Sequence, residues 1–201
     1  MFDFIENFFK KKPIQNPKDV ELTFFNEINV DGPVTVIYER SSKTSLVVDA
    51  DEAILSKIEI NIKNECLYIR TIGNFIANKK IKIKVSGPIL TRISTQSVSR
   101  FKGKNLHFDE LYVDSSGTSK VELIGKIETA KFVSKNVSKI NARELNVSKA
   151  AIVSNDVSAV SICVSSFVDV HASDVAKVSV YGNTVARKTI KQDLGTVEFY
   201  K

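Results

Sequence analysis

Two aspartates, Asp156 and Asp174, occupy equivalent places in successive stretches, each four positions before an apolar residue, Val160 and Val178. Brought one layer apart, two such carboxylates would offer oxygen ligands to a hard cation such as Ca²⁺. The same residue type also serves as a turn residue, accepting hydrogen bonds from nearby backbone. That role needs no ion, and it is the expectation here. Ser99, Ser119, Ser138 and Ser158 recur two positions before apolar residues. Stacked, they would form a hydroxyl ladder, either a packed small-residue corner or a polar stripe for a ligand, with the packed corner expected. His107 and His171 are far apart and beside strand residues, which fits surface or strand-edge histidines. Cys66 and Cys163 lie in different segments without CxxC spacing, so neither a disulfide framework nor a zinc site is expected. No nucleophile elbow, HExxH, P-loop or dinucleotide fingerprint is present. The sequence therefore assigns no catalytic, cofactor-binding or metal residue. The sequons at Asn136 and Asn146 arise from the repeat itself.

That repeat must position these groups. The apolar centres Phe101, Val121, Ile140, Val160 and Val178 recur every ~20 residues, a period that marks stacked-repeat architectures. A second inward residue follows two positions on, at Leu123, Ala142, Ile162 and Val180, which is strand periodicity. Further pairs follow, including Leu106/Phe108, Leu111/Val113, Leu145/Val147 and Val168/Val170. No apolar run suits a helix, and Val, Ile, Ser, Thr and Phe suit strands. A coil of this length cannot bury its own apolar face, but stacked coils can. Five coils at ~4.8 Å make a column about 24 Å tall. Four positions before each centre stand Ser97, Gly117, Asn136, Asp156 and Asp174. Gly, Asn and Asp tolerate a left-handed backbone, so one corner recurs in every coil.

The order of motifs resembles the bacterial family called putative auto-transporter adhesin, head GIN domain. The resemblance rests on Ile28–Val36, Val47–Asp51 and the strand pair ending at Leu90. It continues through the Ser-Gly-Xaa-Ser-Xaa-Val unit at Ser116–Val121, Tyr181-Gly182 and the last Gly strand, Gly195–Phe199. It spans about residues 24 to 199. Only one of the five repeat glycines is present, with Asn and Asp serving the same corner. The resemblance implies a right-handed β-helix and an adhesin-like role at the cell envelope, with no established ligand.

Residues 20–90 read as longer strands: Val20–Phe24, Val34–Tyr38, Ser45–Val48, Ile58–Ile62, Cys66–Thr71 and Ile81–Val85. Turn signals separate them at Asp31-Gly32-Pro33, Asn64-Glu65, Gly73-Asn74 and Gly87-Pro88, and one helical turn is expected near Asp51–Ser56. Met1–Lys12 reads as a short amphipathic helix with Phe2, Ile5 and Phe9 on one face, ended by Pro13. It does not read as a secretory signal and is too short to span a bilayer. It would cover an end of the β structure, lie on a membrane surface through Lys10–Lys12, or serve as a recruiting tail.

The 201 residues carry a net charge of +6 and no Trp. The lysines are scattered and no Arg cluster interleaves with aromatics, so nucleic acid is not expected as a partner. The sequence thus predicts an all-β fold. A segment at 1–19 precedes an antiparallel β region at 20–90, which leads into a β-solenoid of about five coils at 91–201 with a C-terminal closing strand, 20–201 forming one continuous domain with a shared core. The function it implies is a non-enzymatic, adhesin-like binding module of the cell envelope, whose partner is a protein or glycan. Without a visible export signal, a cytoplasmic or membrane-peripheral location stays open. The alternative is a self-assembling structural β-helix like the bactofilins, a homo-oligomer touching the membrane through Met1–Lys12. A polysaccharide-acting β-helix enzyme ranks below both.

Overall fold

The computed structural model describes residues 22–75 and 80–201. The helix expected over Met1–Lys12, and Val20 and Glu21 of the first expected strand, lie outside the described residues. Leu22–Phe25 form no strand. Phe25 is instead a buried plug beside Gly87 and Tyr38.

Four long strands carry the repeat: β8 (Arg100–Ser115), β9 (Lys120–Ser134), β10 (Lys139–Ser154) and β11 (Ala159–Ala172). Each is one coil, bent where the register shifts, as between Gly103 and Leu106 or Asn141 and Glu144. They stack in parallel with the predicted register: Phe101 on Val121, Val121 on Ile140, Ile140 on Val160. β12 (Lys177–Tyr181) continues the stack with Val178 on Val160. All five centres are at most 2% exposed. The core is matched for size between layers: Ala130 lies under Ala150 and over Leu111, while Phe132 lies between Val113 and Ile152. Backbone groups in such a strand find their partners in neighbouring coils, so the fold satisfies its main chain by stacking.

The first half joins this column more intimately than alternation alone suggests. β1 (Glu27–Asp31) pairs in parallel with β7 (Arg92–Gln96) and with β5 (Cys66–Thr71). β2 (Val34–Arg40) pairs in parallel with β8 and with β6 (Ile81–Gly87). The antiparallel pairing expected across 20–90 is confined to β3 (Ser45–Asp49) on β6 and β4 (Ile58–Lys63) on β5. The reason is geometric: alternation marks a strand's buried face but says nothing of its neighbour's direction. The β4–β5 hairpin turns on Asn64 (φ 50°) and Glu65 (φ 59°), a two-residue turn of the left-handed kind that hairpin twist favours. Between β3 and β4 the expected helical turn is a 3₁₀ stretch, Glu52–Lys57, with Ile54 buried.

β3, the 3₁₀ stretch and β4 close one end of the column. At the other end, β13 (Val185–Lys191) pairs with β11 and β14 (Thr196–Tyr200) with β12. The closing strand extends the column rather than sealing it. It lies parallel on β12 and leaves Phe199 46% exposed, although Phe199 sits over the buried Val180. On β13, core positions turn polar instead: Thr189 lies over Val170 and Lys191 over Ala172. Polar terminal layers keep repeat proteins soluble.

Tyr38 is fully buried and its hydroxyl donates to Gly87 O at 2.8 Å. Burial pushes its pKa up to about 12, partly opposed by Arg40. A folded pKa above the unfolded one favours folding below pH ~10, and that contribution is lost as pH rises from ~10 towards 12. Urea unfolding at pH 9, 10 and 11 should show stability falling by up to ~1.4 kcal/mol per pH unit from this one proton. Tyr38→Phe should flatten that share of the slope and cost roughly 1 kcal/mol at pH 8.

Candidate functional site

The recurring corner is the most regular chemical feature of the molecule. In each coil the strand ends in a tight turn, as at Lys135-Asn136-Val137-Ser138, where Ser138 N–H donates to Lys135 O at 3.3 Å. The second residue of the turn is left-handed throughout: Ser97 (57°), Gly117 (71°), Asn136 (58°), Asp156 (61°) and Asp174 (58°). The corner extends beyond the predicted five copies. Gly32 (95°) precedes the first turn's Pro33, and Asp193 (54°) stands four positions before the buried Val197.

The side chains of these residues fasten the layers together. Asn136 N–H donates to Asp156 Oδ2 at 2.8 Å, Asp156 N–H to Asp174 Oδ2 at 3.1 Å, and Gly117 N–H to Asn136 Oδ1 at 3.2 Å. Val137 N–H donates to Gly117 O, Val157 N–H to Asn136 O and Val175 N–H to Asp156 O, each at 2.9 Å. Asp156 and Asp174 therefore work as turn residues that bind the backbone of the preceding coil. Among the described residues no three His, Cys, Asp or Glu groups are arranged to hold a metal.

The serines that follow turn inward. Ser99, Ser119, Ser138 and Ser158 are at most 1% exposed, so their ladder lies inside the column and faces no ligand. Buried hydroxyls require partners, and sequence reasoning missed where these come from. Ser115, Ser134 and Ser154, four positions earlier in each case, meet them across the turn at 2.7, 2.8 and 2.7 Å. The signal was present as a second serine at i−4. Ser138 and Ser158 also donate to Ser115 O (2.8 Å) and Ser134 O (2.9 Å) of the coil before. In the first of these coils Thr95 replaces the partner serine and donates to Ser115 and Ser119, leaving Ser99 Oγ without a partner.

What the corner shows to solvent is different. The residue after each left-handed position points outward: Pro33, Val98, Thr118, Val137, Val157, Val175 and Leu194. Five are large aliphatics, from 49% (Val137) to 72% (Leu194) exposed. They stack as a ridge of seven layers, roughly 29 Å long at ~4.8 Å per layer. Two positions on, an outward row carries Arg100, Lys120, Lys139 and Lys177, interrupted by Ala159. Lys177 pairs with Glu198 at 3.0 Å, and hydrogen bonding to that carboxylate raises the lysine pKa. Arg100, Lys120 and Lys139 form no ion pair with another described residue. A shallow polar groove of about 250 Å³ lies beside the corner, lined by Ser94, Thr95, Gln96, Asp114, Ser116 and Lys135.

The remaining candidates sit apart from this edge. Cys66 is buried, its thiol pKa pushed up by that burial, and Cys163 is half-buried; both are free thiols. His107 is exposed, and His171 Nε2 lies 3.0 Å from Gln192 Oε1.

A model of the family described as "Putative auto-transporter adhesin, head GIN domain" matches residues 24–184. Among solved structures, the chain is similar to a putative adhesin from Bacteroides fragilis, with TM-score 0.70 and 20% identity over 89% of this chain and 93% of that one. It is also similar to a putative adhesin from Parabacteroides distasonis (TM-score 0.55, 17% identity, 89% and 93% covered). A putative lipid binding protein from the same species aligns with TM-score 0.50 and 15% identity, over 90% and 95% of the two chains. At these identities the likeness is one of fold. No curated protein matches the chain.

Proposed function

The chain belongs to the putative auto-transporter adhesin, head GIN domain family, and from that membership we propose that it is a non-enzymatic binding module of the cell envelope whose ridged corner meets the partner. One observation carries this reading. The serine row and the aspartate pair that recur with the coils are taken up by the fold, with the Ser119, Ser138 and Ser158 hydroxyls paired inside and the Asp156 and Asp174 carboxylates on backbone N–H groups. The apolar ridge and its cationic flank are left facing outward, one residue per layer. A rigid column presenting one repeated surface suits adhesion better than turnover, which needs converging groups in a cleft. The antiparallel strands at one end favour a single column over end-to-end stacking into a filament.

Pull-down of the labelled full chain on isolated bacterial envelopes tests this. Wild-type protein should bind saturably, and the double variant Val137→Asp/Val157→Asp should bind at least tenfold more weakly with unchanged thermal unfolding. Equal binding of the two proteins would remove the ridge as the binding surface.

A further inference from the structure

The ridge stands on the tight turns of the column's corner, with its side chains exposed. A groove recognises a ligand by closing round it, whereas a protruding edge must press into something that yields or is itself concave. Resting on the reading of this edge as the binding surface, we propose that it docks onto the surface of an anionic lipid bilayer. Two features on the edge fit that occupant. Its apex is aliphatic in five of seven layers, at Val98, Val137, Val157, Val175 and Leu194, all of them exposed. Apolar tips of this kind enter the boundary between headgroups and acyl chains. The adjoining row holds Arg100, Lys120 and Lys139 without ion-pair partners among the described residues. Long cationic side chains beside an apolar apex reach phosphate groups while their stems stay on apolar surface.

The opposite flank sets the tilt. Asp156, Asp174 and Asp193 stand at the left-handed positions of the last three corners. Asp156 and Asp174 each engage Oδ2 with a backbone N–H, a bond that satisfies a lone pair without cancelling the negative charge. The left-handed positions thus carry acid only towards the Leu194 end, although Asp31 beside the first corner accepts from the Ser97 hydroxyl, and the unpaired cations of the adjoining row lie towards Val98 and Val137. The column settles with its Arg100–Lys139 half nearest the headgroups.

Co-sedimentation of the full-length chain with vesicles decides this. The vesicles are phosphatidylcholine and phosphatidylglycerol mixed two to one, or phosphatidylcholine alone, at low and high salt. Wild-type protein should bind the anionic vesicles and release with salt. Lys120→Ala/Lys139→Ala should lower that partitioning about 25-fold, since each cation near such a surface contributes roughly fivefold. Val137→Ser/Val157→Ser/Val175→Ser should lower it at least tenfold without adding charge. Wild-type-like binding by either variant overturns the proposal, because the contact then lies elsewhere, Met1–Lys12 included. Full competition by soluble dextran sulfate, with the serine variant unaffected, also overturns it in favour of plain charge attraction. Absence of vesicle binding, with envelope binding still lost in the ridge variants, overturns the bilayer but leaves the binding-module reading standing.

Discussion

Gly125→Ala should be among the most damaging single substitutions in the column, costing about 3 kcal/mol or more of stability. Gly125 lies at φ +147°, a region that L residues avoid. A Cβ there would stand 2.1 Å from Leu106 O and 2.7 Å from Leu106 N of the neighbouring coil. Those are backbone atoms held by interlayer hydrogen bonds, so they cannot swing aside as a side chain would. Relief requires the first bend of β9 to lift off β8, opening both layers. Gly73→Ala separates the two causes. Gly73 is also left-handed (φ +67°), but among the described residues its Cβ would meet only Lys57 Nζ at 3.9 Å. It should cost only the backbone preference, ~1 to 2 kcal/mol. Urea midpoints of the two variants against wild type measure the difference.

Phe132→Ala should cost about 3–5 kcal/mol, the range for a fully buried aromatic replaced by a methyl group. Phe132 is 0% exposed and is the bulkiest side chain at its level of the core, between Val113 below and Ile152 above. A domain of this kind is stable by only about 5–15 kcal/mol, so the variant should approach its folding threshold. Coils touch only their neighbours, so the damage should be local at first. Hydrogen exchange should quicken in β8 and β10 around Val113 and Ile152 before it quickens in β4 and β5. Phe199→Ala serves as the comparison. Phe199 occupies a core-facing position, but nothing described covers it, and its loss should shift the urea midpoint far less.

These two residues also divide what the sequence made legible from what it did not. Phe132 stacks on Val113, a position that the repeat marks as inward. The centres from Phe101 to Val178 stack as their spacing requires, and the five corner residues are all left-handed. Gly125 carries no such mark. Its need arises from how closely one coil passes another, which no single coil encodes. The corner copies at Gly32 and Asp193 escaped for different reasons. Gly32 is separated from Ser97 by the excursion through β3 to β6, which breaks the period. Asp193 belongs to a layer whose core positions have turned polar on β13, so the apolar signature fades. The serine corner was visible as a row, but its inward direction was not. A turn can send a small polar side chain either way, and only the partner serines at i−4 make its burial tolerable. The ridge was hidden because solvent-facing valines look, in sequence, like the strand residues beside them.

The place of β1 and β2 in the stack bears on how such a molecule lengthens. They come first in the chain yet occupy an interior layer, between β5–β6 on one side and β7–β8 on the other. That end is interleaved, and inserting a new layer there would part strands that pair across the excursion. From β7 to β12, order along the chain equals order in space. Duplicating one coil-length segment in that half would insert a complete layer, with its own corner, serine pair and ridge residue, and leave every other pairing intact. The architecture therefore has a fixed foot and an extensible shaft, and gene duplication within the shaft would change the reach of its edge in increments of one strand spacing.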